Sequence, residues 1–209
     1  MMGLLFKDSM TLANLREVNP KSRTSRTRGL KRINENPGEW TYSGEIHPDM
    51  FSTFHKFINI KTNKSLWIKC PFGKVGDILY GKETYSVDKL WDDKKPSEID
   101  HNAFVFYHAD TSKKPLWVGR TRSAMMMPET ASRYHIILDK IIAQRIQEIS
   151  VEDIIKEGLS TTLREHDACC DLKKQWITLW DSINGKTYPW KMNVWVWGLY
   201  YRVVKKEGR

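Results

Sequence analysis

Three cysteines in 209 residues, two of them adjacent (Cys169 and Cys170), are poor material for a disulfide framework. No stretch reaches eighteen consecutive apolar residues, the length a membrane-spanning helix needs. The opening MMGLLFKDSM lacks both the charged start and the long apolar run of a secretory signal. Together these absences predict a soluble, intracellular, cytoplasmic protein with no membrane partner. His166 with Cys169 and Cys170 has the chemistry of metal ligands. No second CxxC or HxxxH supplies the remaining ligands, so neither a metal nor a cofactor is expected. There is no internal repeat and no low-complexity segment.

What the chain has in excess is positive charge. The net charge is +9, and residues 1–38 hold eight Lys or Arg against three acids. The densest part is Lys21 to Arg32 (KSRTSRTRGLKR), with six cations and no anion. A run this basic suits a phosphate backbone, because each docked Lys or Arg releases condensed counterions. The spacing Lys21-x-x-Thr24 also sets an amine near a hydroxyl, the raw material for an activated nucleophile. The plain alternative is a solvated loop, the common fate of a short charge run.

At 209 residues the chain suits one domain with insertions, or one and a half domains. Leu4 to Phe6 reads as a short buried strand, and Ser9 as the cap of a short helix ending by Asn19-Pro20. Residues 33–53, rich in Asn, Pro, Gly and Glu, read as a surface excursion. Strands are expected at Phe54–Ile60, Ser65–Cys70, Ile78–Thr84, Phe104–Tyr107 and Leu116–Val118. A further strand, bent near Asp139-Lys140, spans His135–Leu138 and Ile141–Ile146, and Val194–Val204 closes the chain. Ser150-x-x-Asp153 opens a short helix that stops at Gly158. Thr162-x-x-Glu165 opens a longer one with Leu163, Leu172, Trp176, Leu179, Trp180 and Ile183 at three- and four-residue steps, ended by Gly185. Many short strands with a few helices argue for an α+β fold, a small mixed and partly closed β-barrel with helices packed at its ends.

Several segments in order resemble the ASCH family of the PUA-like superfamily, in the longer form common in phages and prophages. They are Leu4-Leu5-Phe6, Lys21-Ser-Arg-Thr24-Ser-Arg26, Cys70-Pro-Phe-Gly-x-x-Gly-Asp-x-Leu79, Glu83-Thr84-Tyr85, Met127-Pro-x-x-Ala-Ser-Arg133, Ile149-Ser-x-Glu-Asp-x-x-x-Glu157-Gly, Leu179-Trp-Asp-Ser-Ile-Asn-Gly185 and Trp195-Val-Trp197. The resemblance implies a single PUA-like domain over residues 1–209 with insertions near 33–63 and 86–122, a barrel with a cleft bounded by the first helix and the basic loop, and RNA or a modified nucleoside as ligand. A small bacterial relative hydrolyses the amide of N4-acetylcytidine with a Lys, a Thr and a Glu. By that resemblance the catalytic set is Lys21, Thr24 and Glu157. The family's Lys-Thr-x-Thr-Arg-Arg becomes Lys-Ser-Arg-Thr-Ser-Arg here, with one Thr and one Arg lost.

Thr24 needs a base, Lys21 serves as one only with a lowered pKa, and Glu157 can protonate the leaving nitrogen. As alternatives, Lys21 and Thr24 belong to a phosphate-binding loop, and Glu157 is a surface acid at a helix end. Arg23, Arg26, Arg28 and Arg133 suit phosphate or base contact, since Arg stays charged and presents a fixed donor fork. For Arg133 the alternative is a structural ion pair, and for Arg28 solvated surface. Tyr85 and Trp67 can stack on a base. Trp176, Trp180, Trp195 and Trp197 read as core, and Met125-Met126-Met127 as packing. Three functions stay open: an amidohydrolase acting on N4-acylcytidine, a non-catalytic RNA-binding module, and a ribonuclease. The last lacks a histidine in the motifs above.

Overall fold

Among the described residues, ten strands and four α-helices form in the computed structural model. It describes residues 1–48, 53–111 and 113–206. In chain order the elements are β1 (Met2–Leu5), α1 (Asp8–Leu15), β2 (Arg23–Arg26), α2 (Lys31–Asn34), β3 (Trp40–Pro48), β4 (Thr53–Asn59), β5 (Ser65–Lys69), β6 (Ile78–Lys82), β7 (Tyr85–Val87), β8 (Val105–Tyr107), β9 (Tyr134–Arg145), α3 (Val151–Lys156), α4 (Glu165–Asn184) and β10 (Trp195–Lys205). The class is mixed α+β. None of the strand pairings among the described residues closes a barrel.

The chain divides into two compact units. The first comprises Met1–Lys21, Ile78–Ile137 and Arg202–Arg209. In it β1 runs parallel to β6, with Met2 opposite Leu79, and β6 runs antiparallel to the first residues of β9, with Ile78 opposite Ile137. β7 and β8 form an antiparallel pair with Tyr85 opposite Tyr107. Its core gathers Tyr85, Val87, Ile99, Val105, Tyr107 and Met127. Helix α1 is capped by Lys7, not Ser9, and ends at Leu15. Asn19 takes the left-handed conformation (φ 49°) that Asn tolerates after a helix.

The second unit comprises Ser22–Asp77 and Leu138–Tyr201. Its centre is β10, whose side chains alternate between two apolar layers, as a strand buried on both faces requires. Val196, with Val194 just before the strand, packs against Leu172, Trp176 and Trp180 of α4 and against Ile146, Ile149 and Ile154. On the other face, Trp195 and Trp197 meet the Phe57 ring edge-on, at centroid distances of 5.2 and 6.4 Å. Burying each such side chain contributes roughly 1.5–3 kcal/mol, enough to hold the strand that carries the site below.

Three expectations change. Residues 40–48 are strand β3, paired antiparallel with β4 through an irregularity between Tyr42 and Ile46, not a surface excursion. Leu116–Val118 is reduced to one bridge, Val118 to Asp88. The basic run is strand for four residues, not loop throughout. On α4, Leu172, Trp176 and Trp180 are buried, whereas Leu163 before the helix and Ile183 near its end are exposed.

Candidate functional site

Strand β2 holds its place by pairing antiparallel with β10, with Arg23 opposite Tyr200, Thr24 opposite Leu199, Ser25 opposite Gly198 and Arg26 opposite Trp197. Side chains alternate along a strand, and directly opposed residues share a face. One face therefore carries Arg23, Ser25, Gly198 and Tyr200, and the other Thr24, Arg26, Trp197 and Leu199.

Helix α3 meets the first of these faces. It begins because Ser150 caps it, the hydroxyl accepting from the Asp153 amide at 3.1 Å. It stops at Gly158, whose φ of 96° an L side chain resists. Its last carbonyl, of Lys156, accepts from the Ser22 amide at 2.9 Å, and the Tyr201 amide in turn donates to Ser22 at 2.9 Å. This lacing brings Glu157, the residue capping the helix C-terminus, onto β2.

There Glu157 Oε1 accepts from Arg23 Nη1 at 2.9 Å and from Ser25 Oγ at 2.8 Å, and Arg23 Nη1 also donates to Ser25 Oγ at 2.8 Å. Asp153 adds a second carboxylate, with Oδ2 accepting from the Tyr200 hydroxyl at 2.8 Å and lying 3.7 Å from Arg23 Nε. The Arg23 side chain has no solvent exposure, so the pair stands in a medium that strengthens its attraction and raises its desolvation cost. Arg23 Nη2 has no hydrogen-bond partner among the described residues. It fits because residue 198 is glycine: a Cβ there would lie 2.8 Å from Nη2 and 2.9 Å from Ile142 Cγ1.

The Tyr200 ring collects cations. Arg23 Cζ lies 5.2 Å from its centroid, Lys140 Nζ 5.4 Å and Lys156 Nζ 5.6 Å, each within reach of a cation–π attraction. Burial pushes the Tyr200 hydroxyl above its ordinary pKa, so at neutral pH it stays a donor to Asp153 rather than an added anion.

The other sequence-predicted residues fall as follows. Lys21 and Thr24 are both buried, at 2% and 5% exposure, and so is Glu157 at 3%. Thr24 stands on the face of β2 opposite to Arg23 and Ser25, the two residues on that strand that bind Glu157. Lys21 belongs to the first unit, where its amide donates to the Ala13 carbonyl at 2.9 Å. Arg26 is half-buried and Arg28 exposed. The Arg28 carbonyl accepts from Trp197 Nε1 at 3.0 Å.

In the first unit, Tyr85 is a core residue with no exposure. Its hydroxyl reaches the Met126 carbonyl at 3.4 Å. In this structure no face of its ring is open to solvent. Arg133 is a structural ion pair. Its Nε and Nη2 each donate to Glu83 at 2.8 Å, and its Nη1 donates to Asp110 at 2.9 and 2.7 Å. Burial pushes the Glu83 carboxyl above its usual range, outweighing the pull of Arg133. Arg133 also borders a cavity of about 540 Å³ lined by Phe104, Phe106, Tyr107 and Asp110 among others.

Sequence reasoning missed Asp153, Tyr200, Lys140 and Glu83. The signal for the first lay in the one-turn spacing of Asp153, Lys156 and Glu157 at the end of a short helix, which puts their side chains together. No group of three or more His, Cys, Asp or Glu among the described residues is placed to hold a metal ion. The side chain of His166 lies outside the described residues. No helix among them is long and apolar enough to cross a membrane. No protein-family model, no curated protein and no solved structure matches this chain.

Proposed function

We propose that this chain binds RNA or a modified nucleoside, as its resemblance to ASCH, PUA-like proteins implies, and that the segment from β2 through α2 meets the phosphates. One observation carries the reading. Arg28, Lys31 and Arg32 are exposed and make no ion pair among the described residues, although their backbone is firmly fixed.

Leu30 among them and Ile33 just after them are fully buried. Asn34 exchanges hydrogen bonds with the Trp195 backbone, donating to its carbonyl at 2.9 Å and accepting from its amide at 2.7 Å. Unpaired cations held on a rigid base suit a polyanion, because little order is lost when they dock.

The test is fluorescence anisotropy of a labelled twelve-nucleotide RNA between low and moderate salt. Each phosphate contact on a single strand adds about 0.7 to the log–log salt slope. The triple variant Arg28→Ala/Lys31→Ala/Arg32→Ala is expected to flatten that slope by about 2. Absent or salt-independent binding by the wild type ends the proposal.

A second reading, hydrolysis of N4-acylcytidine, draws support from the burial of Lys21, Thr24 and Glu157, since buried ionisable groups concentrate at functional sites. Two features weigh against direct Thr24–Glu157 chemistry. Glu157 Oε1 already accepts two hydrogen bonds, and Thr24 stands on the opposite face of β2. Incubation with N4-acetylcytidine, reading cytidine release beside Lys21→Ala, decides it. Release lost in the variant establishes the enzyme, and no release from folded protein leaves the binding module.

A further inference from the structure

The three strands β3, β4 and β5 form their own antiparallel sheet in the second unit. Along β4 the buried residues are His55, Phe57 and Asn59, while Phe54, Lys56 and Ile58 are only half-buried. The cross-strand register sets Lys56 opposite Trp67, Phe54 opposite Lys69 and His47 opposite Phe54. The outward face of this sheet therefore carries His47, Phe54, Lys56, Trp67 and Lys69, with Ile58 and Ser65 at its end.

A sheet with one solvated face ordinarily shows polar side chains there. This one shows aromatics between lysines. Trp67 is 42% exposed. The His47 ring meets it edge-on with centroids 6.2 Å apart, and Lys56 Nζ lies 5.8 Å from its centroid. Glu45 holds that ammonium at 2.8 and 3.0 Å. Lys69 and, at the β4–β5 turn, Lys64 are exposed and unpaired among the described residues.

We infer that this face is a stacking platform for the unpaired bases of single-stranded RNA, with Trp67 as the stacking ring and Lys69 and Lys64 as phosphate contacts. An open aromatic face binds any base through its π system, and flanking cations track the backbone. A protein partner of ordinary composition would want a patch depleted of lysine. The lysines on both sides of Trp67 complement a polyanion instead. This inference rests on the nucleic-acid reading above but names a different surface, so the two can fail separately.

The experiment titrates wild type, Trp67→Ala, Trp67→Phe and Lys69→Ala with two probes, a labelled twelve-residue oligoadenylate and an abasic chain of equal length. Circular dichroism checks that each variant is folded. Trp67→Ala is expected to weaken oligoadenylate binding roughly 5- to 150-fold, leaving its salt slope and the abasic chain's affinity unchanged. Trp67→Phe should recover part of the loss, and Lys69→Ala should lower the salt slope. Oligoadenylate affinity that is salt-dependent yet equal in wild type and Trp67→Ala overturns the platform and leaves the nucleic-acid reading standing. No binding by the wild type overturns both.

Discussion

Glu157 holds the buried Arg23 guanidinium through one oxygen at 2.9 Å, with Asp153 a second, more distant carboxylate at 3.7 Å. Such a pair is a weak source of net stability, because desolvation opposes attraction, but removing one partner strands the other. Glu157→Gln keeps the shape and deletes the charge, so a loss of about 3 kcal/mol is expected in urea unfolding. The double variant Arg23→Met/Glu157→Leu should lose less than that single change, since neither charge of the pair is left buried without the other. A loss below about 1 kcal/mol in Glu157→Gln would mean that the pair is effectively solvated. The cysteines offer a second check at this scale. Cys70 has no exposure and burial pushes its thiol up to about 11, whereas Cys169 and Cys170 are exposed. A thiol reagent at pH 8 should label two cysteines in the folded protein and the third only after denaturant. Rapid labelling of all three would contradict the burial of Cys70.

At the scale of elements, α3 is a short helix with a large task, since its end carries Glu157. Ser150 Oγ satisfies the Asp153 amide, so Ser150→Ala should cost about 1 kcal/mol of stability by thermal melting, with Ser150→Asp restoring most of it. That helix was legible in the sequence because its cap and its stop are local signals. So were β4, β5, β9 and β10, whose alternation or unbroken apolar runs need no partner to be read. Strand β3 was not. Its residues WTYSGEIHP, with the turn NPGE before them, spell turn chemistry, and what makes them strand is pairing with β4. Strand β2 failed for an electrostatic reason. A run with six cations and no anion reads as solvated, yet Arg23 is buried because its counter-charge, Glu157, arrives from 134 positions away in the chain. Arg133 likewise reads equally as a phosphate contact or an ion pair until Glu83, 50 positions earlier, is seen beside it. Pairings of this range leave no periodic trace.

Over the whole molecule the net charge of +9 grows as pH falls, and two buried groups shape how stability responds. His55 is 1% exposed, with Nδ1 3.1 Å from the Tyr42 hydroxyl and its ring 4.7 Å from that of Trp197. Burial lowers its pKa from the ordinary 6.5 to about 4. A depressed folded pKa means that the unfolded chain takes up the proton first. The stabilisation is therefore complete above the unfolded value near 6.5 and is lost as pH falls through about 4. Glu83 works in the opposite sense. Its pKa is raised by burial, so its contribution is complete below the unfolded value and fades as pH rises through the folded one. On the acid limb, His55 acts together with His108, lowered by burial, and Glu39, lowered by its hydrogen bond to Lys61, and Glu83 opposes them. His55→Phe, which cannot titrate and keeps an aromatic ring against Trp197, should flatten the fall in melting temperature between pH 6.5 and 4. Glu83→Gln, uncharged at every pH, should leave that fall in place or steepen it. Equal slopes in wild type and His55→Phe would show that His55 takes up its proton in the folded protein as readily as in the unfolded chain.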